Sequence, residues 1–432
     1  MRIKIIFPIG LFQFISLLRR AIFYAFFYIY LRDFLGLPNT LAASLGTANL
    51  LGSTFGQLKI WGPKLDRQPE LAKKYVVRGE LIAAFTYFIT FIGHYGFLEL
   101  GSGISAAFFM IIILSILEIF WSMSDLGVRF LVAQATQGRN RGQLIGLIDG
   151  FGLIGQIIGF LLGGLLYQDG LGFREGTIFY MVVVLIFLCA MVIQFSPQTK
   201  RISIEDTSIV YTSPKKLREL FQVPTYSFFI FCIMVLVIGV SSSTQIFLYY
   251  SNDPYGLNFN DQLLSYLLIL FSLSGGLITP IGGRASDKVG RIPVVILAGF
   301  GASVSYFLLF FLGKQSFFMV AILYSLLGAS FALLQSVPFA YTADLLPEDL
   351  RGTGFAIFNI TLATGWGLAG FVVGGPVADL LIFMGQTTVT AYRIAFLVSS
   401  ILIVFGTLAL SIYSKNLKRN SSLMSTTTNH FS

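Results

Sequence analysis

The sequence predicts an all-α integral membrane protein with twelve transmembrane helices in two six-helix halves. Three observations carry that prediction. Of the 432 residues, 55% are hydrophobic and only 11% are charged, whereas a water-soluble chain keeps about a quarter of its residues charged. The apolar residues run on without interruption over about 20 positions, the length that crosses the bilayer core as a helix; a transmembrane β-barrel would alternate apolar and polar residues over about ten. The runs also fall into two sets of six, on either side of one long polar stretch.

The first run, residues 5–31, contains "FISLLRRAIFYAFFYIYL", with Arg19 and Arg20 adjacent near its middle. Its start resembles a secretory signal. It has no small-residue cleavage site and continues past the arginines, so it is expected to remain as the first helix. The next five runs cover residues 41–60, 75–97, 104–127, 144–167 and 177–195. The second set covers 228–250, 262–281, 292–312, 316–339, 353–383 and 392–413. The eleventh run is long, and Pro376 and Asp379 near its end suggest an earlier stop. Cys189 and Cys232 both lie inside apolar runs and read as small apolar fillers, with no disulfide or zinc site. His94 and His430 lack metal-ligand spacing, so neither a metal nor a cofactor is expected.

Charge sets the orientation. A net charge of +9 would suit nucleic acid in a soluble chain, but in a membrane protein Lys and Arg collect in cytoplasmic loops. With the N-terminus inside, 23 of the 29 Lys and Arg fall on that side and four on the other; the remaining two are Arg19 and Arg20. Both termini are therefore expected in the cytoplasm of a multi-pass cell-membrane protein, surrounded by lipid and not nucleic acid. The expected organisation is a six-helix bundle over 1–195, a cytoplasmic linker over 196–227, a second bundle over 228–413 and a flexible tail over 414–432. Within the linker, "SPKKLRELF" reads as a short amphipathic helix with Lys215, Lys216 and Arg218 toward headgroups.

The halves repeat. A shift of 210 residues carries Arg141-Gly142 onto Arg351-Gly352, Asp149 onto Asn359, Gly155 onto Gly365 and Gly164 onto Gly374. A shift of 221 carries "GPKLDR", residues 62–67, onto "GRASDK", residues 283–288. Duplicated six-helix halves mark secondary transporters. "GGRASDKVGRIP" supplies a loop motif of Gly283, Asp287, Lys288, Gly290 and Arg291. Its worn copy after the second run keeps Gly62, Asp66 and Arg67, with Pro69 and Glu70 in place of a glycine and a basic residue. "YTADLLPEDLRGTG", residues 341–354, precedes the eleventh helix.

In these motifs, and over essentially its whole length, the chain resembles the major facilitator superfamily of secondary transporters. The resemblance implies two pseudo-symmetric six-helix bundles around a central cavity lined by spans one, four, seven and ten. It also implies a monomer, a small-molecule substrate and protons as the default coupling ion. In that family the loop aspartates close an inner gate, which implies that Asp66 meets the start of span eleven near Gly352 and that Asp287 meets the start of span five near Gly142. A helix start favours a carboxylate there, through its free N–H groups and dipole. The fifth span carries Gly146, Gly155, Gly159, Gly163 and Gly164, spaced as in the family's antiporter motif but with Phe160 in place of its proline. Gly155, Gly159, Gly163 and Gly164 read first as close helix packing.

Polar stripes then give candidate cavity residues. Span one places Gln13, Ser16, Arg20 and Tyr24 on one face, and span four places Ser115, Glu118, Ser122, Asp125 and Arg129 on one face. Spans seven and ten add Ser241, Ser242, Gln245, Tyr249, Ser325, Gln335 and Ser336. Two unpaired arginines at mid-membrane would cost about 5–7 kcal/mol, so both must meet water or carboxylates. Helical phase and depth pair Arg20 with Glu118. They leave Arg19, turned about 100° away, to Asp149 on span five. Asp125 and Arg129, and likewise Arg78 and Glu80, read as interfacial anchors. Such pairs can simply neutralise charge. Alternatively Glu118 exchanges a proton, with Arg20 tuning it or binding an anionic group.

No nucleotide-binding P-loop is present, and the short loops lack the acid and histidine clusters of a membrane enzyme. The expected function is secondary active transport of a small organic solute, an anionic one among the options, by alternating access, with protons as the expected coupling ion. Tyr24 and Tyr28 would also suit efflux of lipophilic drug-like compounds. A non-transporting sensor of the same fold is the third alternative.

Overall fold

The computed structural model describes residues 2–135, 141–196, 214–312 and 317–428, which are almost entirely helical. Two compact units form: Met1–Ser208 with Phe247–Ile269, and Ile209–Ile246 with Leu270–Ser432.

The first unit begins with α1 (Arg2–Ile29), prolonged by a π-helical turn, Tyr30–Phe34. Next come α2 (Asn39–Phe55), prolonged by a π-helical turn Gly56–Trp61, and the short α3 (Gly62–Arg67). Then follow α4 (Ala72–Glu99), α5 (Gly103–Ala135), α6 (Arg141–Tyr167), α7 (Leu171–Arg174) and α8 (Thr177–Gln194). Beyond the linker are α9 (Pro214–Phe221), α10 (Pro224–Ser242), α11 (Thr244–Asn252), α12 (Asp261–Val289) and α13 (Arg291–Phe311). The chain closes with α14 (Phe317–Leu345), α15 (Glu348–Ala369), α16 (Gly375–Phe383) and α17 (Thr388–Thr428).

Among the described residues, eleven helical stretches are long and apolar enough to cross a membrane. The twelfth is α2, only 17 residues long by itself and diluted by Asn39, Thr40, Ser44, Thr47, Asn49, Ser53 and Thr54. Large apolar side chains such as Phe85, Ile92, Val184, Phe187, Leu297 and Phe300 are exposed. A water-facing surface would not carry so many, whereas lipid accepts them. Pro280 and Pro338 sit inside α12 and α14, which membrane helices tolerate because neighbouring groups satisfy the freed carbonyls.

Helix pairing repeats between the units. In the first, α1 packs on α6 and α8, and α4 packs on α5 and α8. In the second, α10 packs on α15 and α17, and α13 packs on α14 and α17. The same scheme has been used twice, as the 210-residue offset predicts.

Three stretches differ from the expected spans. The eleventh does not stop early: a π-helical turn, Gly370–Gly374, absorbs the glycines and leads into α16, where Pro376 sits in the first turn and loses no helical bond. The seventh is broken at Ser243, and its outer part groups with the first unit. The last helix continues through 414–428, where a flexible tail is expected; no Gly or Pro stands between 407 and 428 to stop it. Residues 197–213 of the linker lie outside the described residues, but α9 buries Leu220 and exposes Arg218.

Candidate functional site

The two adjacent arginines part company at α1. Gln13, Arg20, Tyr24 and Tyr28 form a half-buried stripe, while Ser16, Arg19, Phe23, Phe26 and Phe27 are buried on the other side. Arg19 is only 1% exposed, and its Nη2 lies 3.2 Å from Glu80 Oε2 of α4, itself 1% exposed. The same nitrogen reaches Ser16 Oγ and Glu80 Oε1, each at 3.4 Å. Glu80 Oε1 also accepts the Trp121 indole N–H at 3.0 Å and the Ser124 hydroxyl at 2.6 Å, both from α5. The Arg19 guanidinium lies 4.1 Å from the centre of the Trp121 ring. A short carboxylate side chain can make these contacts because glycines let α4 and α5 approach closely. A methyl group at Gly127 would stand 2.8 Å from the Ala72 carbonyl, and one at Gly79 would stand 2.9 Å from the Ser124 Cβ.

Arg20 turns to the half-open side. Its Nη2 pairs with Asp125 Oδ1 at 3.0 Å, the two side chains being 40% and 36% exposed. Trp121 borders this pair too, its ring centre 5.8 Å from the Arg20 guanidinium. Glu118 sits two turns before Asp125 on α5. It is half-buried and faces Gly52 of α2 through its Cβ. It lies within electrostatic reach of Arg20 and Arg19, yet among the described residues it makes no hydrogen bond and no ion pair within 4 Å. Tyr87 of α4 donates its hydroxyl to Tyr24 at 3.3 Å and meets Trp121 edge to face.

Both expected pairings are corrected. Arg20 pairs with Asp125 rather than Glu118. The reason is helix length: α5 runs on to Ala135, so Asp125 lies about 15 Å from the helix end and not at the mouth of the span. Arg19 pairs with Glu80 rather than Asp149, which is exposed on α6. Glu80 is no interfacial anchor, since α4 begins at Ala72 and carries it about 12 Å inward. Arg78, two residues away, is exposed. A signal for Glu80 was present in the sequence: Glu80, Ala83, Ala84, Tyr87, Thr90 and His94 recur at helical spacing, and all are buried.

The other predicted residues lie as follows. Gln13 packs near Gly152. Gln245, on α11, is half-buried with its Oε1 unpaired, and Gln335 is half-buried on α14. A side chain at Gly155 or Gly159 would fall on the carbonyls of Phe14 or Leu18 of α1, and Gly163 faces Ile22. Gly164 faces Asp261 and Ser265 of α12 instead. In the loop motifs, Gly62 and Arg67 belong to α3, with Arg67 exposed. The Asp66 side chain and the surroundings of Gly142 and Gly352 lie outside the described residues. Asp287 is exposed and pairs with Arg291, which also reaches Asp344 at 3.2 Å and Ser286 at 2.7 Å. Gly283 is half-buried and Lys288 exposed, and Gly290 turns the chain at φ 96°, a left-handed conformation that glycine adopts freely.

The sequence matches the family model described as Major Facilitator Superfamily over residues 9–370, and again over 254–425. The chain belongs to the major facilitator superfamily. It is 31% identical to tetracycline resistance protein, class E, of Escherichia coli over 125 residues, which is 29% of this chain; the match spans only 28% of that protein's length. Among solved structures, a single-substitution variant of the nucleoside transporter NupG superposes with a TM-score of 0.78 at 15% identity, over 95% of this chain and 99% of that one. A bacterial homolog of the human lysosomal transporter Spinster, inward-facing and unoccupied, gives 0.65 at 12% identity, over 96% and 97%. These likenesses are of fold. As a member of the superfamily, the protein is a multi-pass membrane transporter of small molecules and not an enzyme.

Proposed function

We propose that this transporter is a proton-coupled secondary carrier of a small organic solute, working by alternating access, and that Glu118 carries the coupling proton. One observation supports this reading most: where α1, α4 and α5 meet, the described residues include three carboxylates, Glu80, Glu118 and Asp125, against two guanidinium groups, Arg19 and Arg20. Arg19 is taken by Glu80 and Arg20 by Asp125, which leaves Glu118 as the carboxylate without a contact partner. A carboxylate without an internal cation in contact is placed to take up and release a proton as alternating access moves it between the two aqueous sides. Arg20 is half-exposed and keeps N–H groups beyond its Asp125 bond, which suits an anionic or carbonyl-bearing solute. The transporter is taken to act as a monomer in the cell membrane, and the Lys and Arg asymmetry supports cytoplasmic termini.

The test is uptake and counterflow in proteoliposomes across a pool of small organic solutes. An imposed pH gradient should drive net accumulation by the parent protein. Glu118→Gln should abolish that accumulation and retain solute exchange without a gradient. Accumulation that keeps its dependence on the gradient in Glu118→Gln would remove the proton role.

A second reading is efflux of lipophilic compounds. It is supported by the partial match to a tetracycline resistance protein and by Tyr24, Tyr28 and Tyr87 beside the charged pair. Cells expressing the protein would then accumulate less of a lipophilic dye, and purified protein would be stabilised by such compounds rather than by polar metabolites.

A further inference from the structure

The buried half of the charge cluster has no direct access to a solute, yet it touches the half that does. Glu80 is the acceptor at which three helices meet: Arg19 from α1, and Trp121 and Ser124 from α5, all bind it. Of these, Trp121 alone reaches across to the open side. Its N–H is tied to Glu80, one ring face lies under Arg19, its edge meets Tyr87, and Arg20 stands 5.8 Å from its centre. An indole fixed in this way is a wall with a negative face, which attracts a guanidinium placed against it.

We propose that Glu80 is a positioning residue for the Arg20 site: by tethering the Trp121 indole, it holds Arg20 on Asp125 and keeps it off Glu118. The groups that face Glu118 limit what else could do this. Arg19, Arg20 and Tyr24 come from α1, Tyr87 from α4 and Asp125 from its own helix. Arg19 is locked in the buried pair, and the two tyrosines are neutral and bonded to each other. Arg20 is therefore the cation whose position decides whether Glu118 is neutralised. Loss of the tether would let the indole turn and Arg20 swing toward Glu118. The geometric claim stands by itself; its consequence for transport rests on the proton reading of Glu118.

The experiment is a double-mutant cycle on the full chain, purified in detergent and read by thermal unfolding. Arg20→Gln, Asp125→Asn and their combination are measured in the parent and again in a Trp121→Phe background, which keeps an aromatic ring but has no N–H to tether. The parent should show a non-additivity of about 1–2 °C, and the Trp121→Phe background should show none. Glu80→Gln, whose amide oxygen still accepts the indole N–H, should keep it; if that variant does not fold, Trp121→Phe decides alone. Equal non-additivity in parent and Trp121→Phe, or none in the parent, would overturn the proposal. In proteoliposomes, Trp121→Phe should move the pH midpoint of transport; a lower maximal rate at an unchanged midpoint would mean that Trp121 only packs. If the non-additivity vanishes as expected but the parent shows no pH dependence, positioning holds and the proton reading alone fails.

Discussion

In the first unit, α1 and α4 meet through a buried guanidinium and a carboxylate. In the second unit, the corresponding helices α10, α13 and α17 meet through hydroxyl groups. Ser399 Oγ lies 2.7 Å from Ser242 Oγ and 2.6 Å from Ser243 Oγ, Ser303 meets Ser400 at 2.9 Å, and Tyr306 donates to the Val240 carbonyl at 2.7 Å. The packing scheme is shared, and the chemistry in the seams is not. A hydroxyl seam degrades gradually, because each member usually keeps another partner. An ion pair in the same place is conditional, since removing either member strands a buried charge. The first unit's seam thus carries charge, and the second unit's seam is neutral on the same helix scheme.

The largest expected effect tests that contrast directly. Glu80→Leu leaves the Arg19 guanidinium buried and unpaired and should lower stability by about 3–5 kcal/mol, measured by thermal or denaturant unfolding in detergent. Replacing both partners, Arg19→Met with Glu80→Met, should recover most of the loss, because the stranded charge is then gone. A Glu80→Leu protein as stable as the parent would break the comparison.

Next in size is a matched pair of glycines 210 residues apart. A methyl group on Gly155 would meet the backbone carbonyl of Phe14, which cannot give way without moving α1. A methyl group on Gly365 would crowd Val237, 2.5 Å from its Cγ1 and 3.0 Å from its Cβ, with the Ile238 backbone nitrogen at 3.6 Å, so that a side chain rather than a carbonyl takes the closest contact. Overpacking costs about 1–3 kcal/mol, and alanine regains about 1 kcal/mol of helix propensity over glycine. Both alanine variants should therefore be destabilised, Gly155→Ala more than Gly365→Ala, with Tm as the measurement. Equal effects would mean that the first unit's glycine seam is no more demanding than its repeat.

The same contrast explains what could be read from the sequence. Composition and run length were enough for the helices, and helical phase alone separated Arg20 from Arg19. The partners are not legible because apolar runs understate helix length: α4 begins three residues before its run, at Ala72 rather than 75, and α5 continues eight residues past its run, to Ala135 rather than 127. Asp125 and Glu80 consequently looked interfacial. Trp121 was invisible for another reason: an apolar-looking ring in a membrane helix gives no sign that its N–H is committed to a carboxylate. The break at Ser243 had no Gly or Pro to announce it, so span seven read as one uninterrupted run.

The smallest expected effect lies in the hydroxyl seam. Ser399→Ala removes the oxygen shared by Ser242 and Ser243. Both survivors keep an acceptor, Ser242 on the Gly239 carbonyl at 3.0 Å and Ser243 on the Ala395 carbonyl at 3.0 Å. No donor is left without a partner, so the loss should stay near 1 kcal/mol, the net worth of one hydrogen bond. Tm should fall by only a few degrees, and the pH profile of transport should not move, because no charge has changed. A loss as large as that of Glu80→Leu would show that α10, broken at Ser243, depends on Ser399 to hold its two segments together. The neutral half would then be as conditional as the charged one.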